Sequence, residues 1–332
     1  MWSGGTIGKP CSAKPTSSSM VRLFRKKRLI ILRFMGQPTP TQFQFRTMHD
    51  SPRFFLTPSE ITQTVSDSGV TKASESWPKL FILGILAGVY IAFASEGSNM
   101  AAFNLLASPS TYGLGRCLAG AIFPGGLMLV VIAGAELFTG NTMMLLPLAQ
   151  RKISVSGLAK NWSVVYFGNF IGSVFVAYLI VCSGQLQAGD GLLGGITIKI
   201  AAAKCRFTFV EALSLGILCN WLVCLAVWMA AGARDVTGKI LAIFFPIWLF
   251  ITSGFEHSVA NMYYISVGLL AKSNPAWLSA GNLNSEAIAS LTWTNFFFAN
   301  LLPVTIGNII GGGLFVACTY GMAYASKNPL GR

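Results

Sequence analysis

The chain has 332 residues, 53% of them hydrophobic and only 11% charged, with a mean hydropathy of +0.60 and a formal net charge of +13. This balance excludes a soluble domain built on one large core and describes a polytopic protein whose partner is the lipid bilayer. The charge resembles that of a nucleic-acid binder, but its distribution excludes that class: Lys9, Lys14, Arg22, Arg25, Lys26, Lys27, Arg28, Arg33 and Arg46 crowd one tail, and no acid precedes Asp50.

Residues 1–56 read as a disordered basic tail. Up to residue 47 the tail is rich in Pro, Ser and Arg and has no sustained period, and its apolar run Leu29-Ile30-Ile31-Leu32 is too short for a signal-peptide core. It reads either as a targeting segment or as sequence upstream of a start at Met35 or Met48, and the second reading is preferred. Thr57-Pro58-Ser59-Glu60 then forms a capping box with proline at the first helical position. The helix it opens, roughly 58–76, places Ile61, Val65 and Ala73 on one side. It is expected to lie at the membrane surface.

Six apolar segments follow, at about 80–104, 115–149, 157–183, 207–232, 238–271 and 292–325. A straight crossing takes roughly 20 residues, so the second and fifth are too long for one. Each carries a polar interruption, at 135–141 and 254–261. The basic residues Arg151, Lys152, Lys160, Arg234, Lys239 and Lys327 outweigh those on the other side and set both termini in the cytoplasm. Residues 57–327 thus form one transmembrane domain of an inner or plasma membrane, and 328–332 a cytoplasmic tail. The seven cysteines show no metal-ligand spacing, and no metal or other cofactor is expected.

Three matches relate the first three spans to the last three. Leu83-Gly84-Ile85-Leu86 matches Leu215-Gly216-Ile217-Leu218, Glu136 with Asn141 matches Glu256 with Asn261, and Gly168-Asn169-x-Ile171-Gly172 matches Gly307-Asn308-x-Ile310-Gly311. A repeat of three spans is odd in number, so its second copy sits inverted in the membrane. Inverted repeats with breaks in corresponding positions point to a central substrate path. The fold expected is therefore an all-α bundle of six spans in two inverted three-helix repeats, with spans two and five broken at the midplane.

Glu256 and His257 stand side by side in the fifth segment, and an ionisable residue at that depth marks a functional path by default. The plainer alternative is a Glu–His pair that joins two helices. Half-helix N-termini favour anions, His257 titrates near neutrality, and Thr139, Asn220, Asn141 and Asn261 offer neutral hydrogen bonds. Lys204, at the edge of span four, is a fixed charge that gathers anions. Phe123, Leu127, Leu137 and Phe250 are candidates to exclude water and cations. Glu136 and Glu256 are expected to turn back and tie down the broken backbone through N–H groups.

Five stretches carry a family resemblance: A-G-A-E-L-F-T-G-N at 133–141, K-N-W-x-x-x-Y-F-G-N at 160–169, C-N-W-L-V-C-L-A-V-W-M at 219–229, S-G-F-E-H-S-V-A-N-M at 253–262 and L-P-V-T-I-G-N-I-I-G-G-G at 302–313. Together they resemble the formate/nitrite transporter family, over about 57–325. The resemblance implies an aquaporin-like fold of six spans and a homopentamer with one pore per protomer that carries small monovalent anions: formate or nitrite first, with hydrosulfide or lactate and acetate as alternatives. The titratable His257 is expected to make transport pH-dependent, with proton symport left open, and no enzymatic activity is expected. The resemblance assigns His257, Thr139, Lys204 and Asn220 to the path, and constrictions to Phe123 and Leu127 on one side and Leu137 and Phe250 on the other. The stretch around Lys204 lacks the histidines of the formate branch, so the anion stays open.

Two other classes compete. Ser253 and His257 share a helix face at i and i+4, which suits an intramembrane serine hydrolase. Against it, the helix is expected to break between them, and nothing nearby offers an oxyanion hole. A neutral-solute channel would carry paired Asn-Pro-Ala breaks, and the sequence has none.

Overall fold

The structure is a computed structural model that describes residues 55–324. Most of the expected basic tail and all of the C-terminal tail lie outside these residues. The last two residues of the tail are ordered, contrary to expectation: Phe55 bridges Ala233, and the Leu56 N–H donates to the Gly232 carbonyl at 2.8 Å. The capping box forms next. The Thr57 N–H donates to Glu60 Oε2 at 2.7 Å, and the Glu60 N–H returns to Thr57 Oγ1 at 3.4 Å. The helix Pro58–Ser74 that follows is docked on the bundle by one face. Its inward face holds Thr62, Val65, Ser66 and Gly69, and a Cβ at Gly69 would stand 2.6 Å from Pro147.

Among the described residues, six helices are long and apolar enough to cross a membrane: Trp77–Leu106, Tyr112–Gly134, Val155–Cys182, Phe209–Gly232, Val236–Ser253 and Trp293–Tyr324. A further helix, Leu192–Lys204, precedes the fourth span, so Lys204 closes its own helix rather than opening that span.

The second and fifth spans break for the same reason. Gly134 has φ +87° and Gly254 φ +79°, a conformation that L side chains rarely adopt. The chain then runs extended to Leu137 and to His257, and helix resumes at Phe138 and Ser258. The breaks are shorter than the sequence suggested, since Asn141 and Asn261 already lie in the restarted helices. Asparagines of the third and sixth spans cap those restarts: Phe138 N–H donates to Asn169 Oδ1 and Ser258 N–H to Asn308 Oδ1, both at 2.9 Å.

Bare backbone at membrane depth has to find partners inside the protein, and the two copies of the repeat solve this with the same bonds. The Glu136 N–H donates to the Leu83 carbonyl at 3.1 Å, and the Glu256 N–H to the Leu215 carbonyl at 3.2 Å. Asn169 Nδ2 donates to the Gly84 and Glu136 carbonyls at 2.7 and 2.9 Å. Asn308 Nδ2 donates to the Gly216 and Glu256 carbonyls at 2.8 and 3.0 Å. The glycines of the same motifs let spans touch at backbone level: a Cβ at Gly172 would fall 2.1 Å from the Ile85 carbonyl oxygen, and one at Gly311 would fall 2.2 Å from that of Ile217.

Candidate functional site

Two anchors of like composition flank the breaks. Lys204 Nζ lies 2.6 Å from Glu256 Oε1. Asn261 Nδ2 and Asn300 Nδ2 donate to Glu256 Oε2 at 2.7 and 3.2 Å, and Asn300 Nδ2 also reaches the Lys204 carbonyl at 2.9 Å. In the other anchor Lys72 Nζ lies 2.7 Å from Glu136 Oε1, Asn141 Nδ2 donates to Glu136 Oε2 at 2.7 Å, and Asn161 Nδ2 reaches the Lys72 carbonyl at 3.3 Å. The glutamates therefore hold lysine and asparagine side chains, not the backbone N–H groups expected of them. Their own N–H groups are already taken by the carbonyls of spans one and four. Lys204 is likewise paired rather than a lone charge at a mouth, and its Nζ lies 5.3 Å from the centroid of the Tyr264 ring.

Each anchor faces a cavity. The larger, about 470 Å³, is lined by Lys72, Glu136 and Lys239 among apolar residues that include Leu127 and Leu137. The smaller, about 60 Å³, is lined by Lys204, Glu256, Arg116, Phe250, His257 and Tyr264. Each cavity thus has one more cationic than anionic side chain in its wall. Such an excess in a low-dielectric cleft draws in anions.

The four apolar candidates are all buried. Phe123 meets Phe250 edge to face with ring centroids 5.5 Å apart, while Leu127 and Leu137 share the wall of the Lys72-side cavity. The Phe250 ring in turn lies over His257 at 6.0 Å.

At the wall of the smaller cavity, His257 Nε2 lies 2.9 Å from Thr139 Oγ1. His257 Nδ1 accepts from the Ala260 N–H at 3.0 Å, so the ring proton sits on Nε2 and is donated to Thr139. The Thr139 hydroxyl hydrogen is then available to a third group. Asn220 Nδ2 donates to the Thr139 and Asn308 carbonyls at 3.1 and 2.6 Å and to Thr142 Oγ1 at 3.0 Å. Its amide nitrogen is committed to holding Thr139 in place, and only its buried Oδ1 has no partner. Cys224 Sγ supports the same carbonyl at 3.3 Å.

Ser253 and His257 are not a dyad. Gly254 breaks the helix between them, Ser253 is exposed, and both ring nitrogens of His257 are engaged elsewhere. Among the described residues no three His, Cys, Asp or Glu side chains gather to hold a metal. Sequence reasoning missed Lys72, Asn161 and Asn300. The repeat could have found them: the offset that sets Gly84 against Gly216 also sets Lys72 against Lys204, and the offset for Asn169 and Asn308 pairs Asn161 with Asn300.

A family profile described as Formate/nitrite transporter matches residues 59–322. A probable formate transporter of Methanothermobacter thermautotrophicus is 40% identical over 287 residues, which covers 82% of this chain and 98% of the relative. The formate channel FocA of Escherichia coli K12 is 38% identical over 285 residues, covering 84% and 98%. Among solved structures, a pentameric formate channel with formate bound aligns with a TM-score of 0.67 at 38% identity, over 75% of this chain and 98% of that one.

Proposed function

The chain belongs to the formate/nitrite transporter family, whose members are channels and transporters for small anions rather than enzymes, and we propose that this one passes formate through the Thr139–His257 gap. The observation that carries the proposal is what the fold gathers in one interior: two net-positive cavities, the buried apolar side chains of Phe123, Phe250, Leu127 and Leu137, and the Thr139–His257 donor pair. A bare anion pays a large desolvation cost between apolar walls. The Thr139 hydroxyl offsets part of it, and a proton shared with the anion would offset the rest. His257, as the titratable group at that point, sets how proton movement accompanies formate as pH changes. Asn220 acts by positioning Thr139, and Lys204 and Lys72 by holding the breaks and drawing anions to the two mouths.

The similarity to a pentameric channel supports a homopentamer with one path per protomer. The basic connections support cytoplasmic termini, which puts the Lys72-side cavity inward. Competitive uptake of labelled formate by purified protein in liposomes tests the reading. Unlabelled formate should compete best, nitrite next, and hydrosulfide and lactate least. Stronger competition by lactate or hydrosulfide, or no uptake of formate, would overturn it.

A further inference from the structure

Three carboxyl groups lie in the interior of the bundle. Two of them, Glu136 and Glu256, belong to the repeat anchors. The third, Glu96 in the first span, does not. At the offset that sets Lys72 against Lys204, Glu96 falls opposite Trp228, so the second copy has no counterpart. Glu96 is 5% exposed. The Tyr263 hydroxyl of the fifth span donates to its Oε2, and its Oε1 has no partner. No lysine or arginine pairs with it among the described residues, in contrast to Glu136 and Glu256.

One helical turn on, Asn99 is also buried with its Nδ2 unpartnered, and Asn99 lines the Lys204-side cavity together with Ser98, Tyr264 and His257. Two orphaned polar atoms on adjacent turns therefore lead from Glu96 towards the cavity wall. As a structural tie between spans, a carboxyl with no cation is a poor choice, because two apolar side chains would pack there at lower cost. A carboxyl whose one partner can itself give and take a proton suits a different task.

We propose that Glu96, with Tyr263, is a proton-binding site beside the Lys204-side cavity, and that its charge sets how readily an anion enters from that side. The inference rests on the reading of this cavity as an anion entrance. With Glu96 ionised, its negative charge offsets the one-unit positive excess of the cavity. With a proton taken from the Lys204-side solution, the carboxyl is neutral and the excess stands. From the fifth span Glu96 faces Tyr263, with Tyr264 beside it. The other charges on the same wall are Lys204, which lies over the Tyr264 ring, and Arg116 of the second span, whose guanidinium donates to the Ile251 carbonyl. The third span and the helix Leu192–Lys204 present no other ionisable group that bears on Glu96 among the described residues.

The test uses the whole protein in oriented planar bilayers with formate, with pH varied on one side at a time, and compares it with Glu96→Gln. Wild-type formate flux, read as labelled formate crossing the bilayer, should rise several-fold as the Lys204 side is acidified. Glu96→Gln should keep the high flux at every pH on that side, with the response to the other side unchanged. In infrared difference spectra, acidification should produce a carboxylic C=O band that is absent in Glu96→Gln and shifted in Tyr263→Phe. A wild-type pH profile in Glu96→Gln, or a band that ignores that substitution, would overturn the proposal. If Glu96→Gln does not assemble, Tyr263→Phe carries the test, and an unshifted band there overturns it. Absence of formate flux in the wild type would instead count against the anion-path reading, while the infrared band still reports on Glu96.

Discussion

Replacing Glu256 by glutamine should cost more stability than the same change at Glu136, although the two anchors make bonds of the same kind. The difference lies in burial. Lys204 and Glu256 keep 15% and 3% of their side-chain surface exposed, against 27% and 13% for Lys72 and Glu136. Removing one partner of a buried pair costs about 3–5 kcal/mol, because the other charge is left uncompensated. The Lys204 ammonium has little access to water, so Glu256→Gln should fall in that range. Lys72 is better solvated and screened, and the cost of Glu136→Gln drops to about 1–3 kcal/mol. Adding Lys204→Met to Glu256→Gln removes the stranded charge and should recover at least half the loss, a coupling that a double-mutant cycle isolates. The assay is the apparent unfolding midpoint of wild type, Glu136→Gln, Glu256→Gln, Lys204→Met and the double variant, purified in one detergent and followed by tryptophan fluorescence. Equal losses for the two glutamates, or a double variant no more stable than Glu256→Gln, would refute the reasoning.

Thr139→Val removes the path's hydroxyl and strands His257 Nε2. Loss of a hydrogen bond to a charged species, about 1.5–3 kcal/mol, predicts formate flux lower by about 10- to 100-fold, with Thr139→Ser restoring most of it in liposome uptake. Gly172→Ala drives a Cβ to 2.1 Å from the Ile85 carbonyl oxygen and should prevent recovery of assembled protein, whereas Gly113→Ala, with no atom within 4 Å of the new Cβ, should be tolerated on size-exclusion chromatography. Burial is the main cause that pushes the Cys205 thiol up to about 12, against a lowering by Lys204. The reactive thiolate therefore appears only as pH rises towards that value, and mass spectrometry after maleimide treatment from about pH 7 to about pH 9 should find Cys205 unmodified.

Spans, breaks and repeat were legible because each rests on a local rule. Hydropathy over some twenty residues marks a span, and a glycine followed by polar residues in an apolar run marks a break. The repeat was legible in Gly84, Gly216, Asn169 and Asn308 because those positions perform backbone-level tasks that few residue types can perform. What lay hidden depended on pairing across the fold. Lys72 sits in a helix that reads as an ordinary amphipathic segment, and only its contact with Glu136 ties it to the path. The four candidate constriction residues were legible as apolar, while a contact such as that of Phe123 against Phe250 exists only in the fold. Asn220 looked like a donor to a ligand until the carbonyls of Thr139 and Asn308 were seen to occupy its nitrogen. The tautomer of His257 is set by a bond to the Ala260 N–H, which exists only because the chain breaks at Gly254.

The central claim is that formate crosses at the Thr139–His257 pair and that His257 governs how protons accompany it. Paired measurement of current and labelled formate flux in wild type and His257→Asn, from about pH 5 to about pH 8, tests this most directly. Asparagine keeps the polarity and approximate size but cannot titrate. In the wild type the charge moved per formate should fall as the solution is acidified, while in the variant this ratio should stay constant across the range. A variant whose ratio follows the wild-type pH profile would contradict the account.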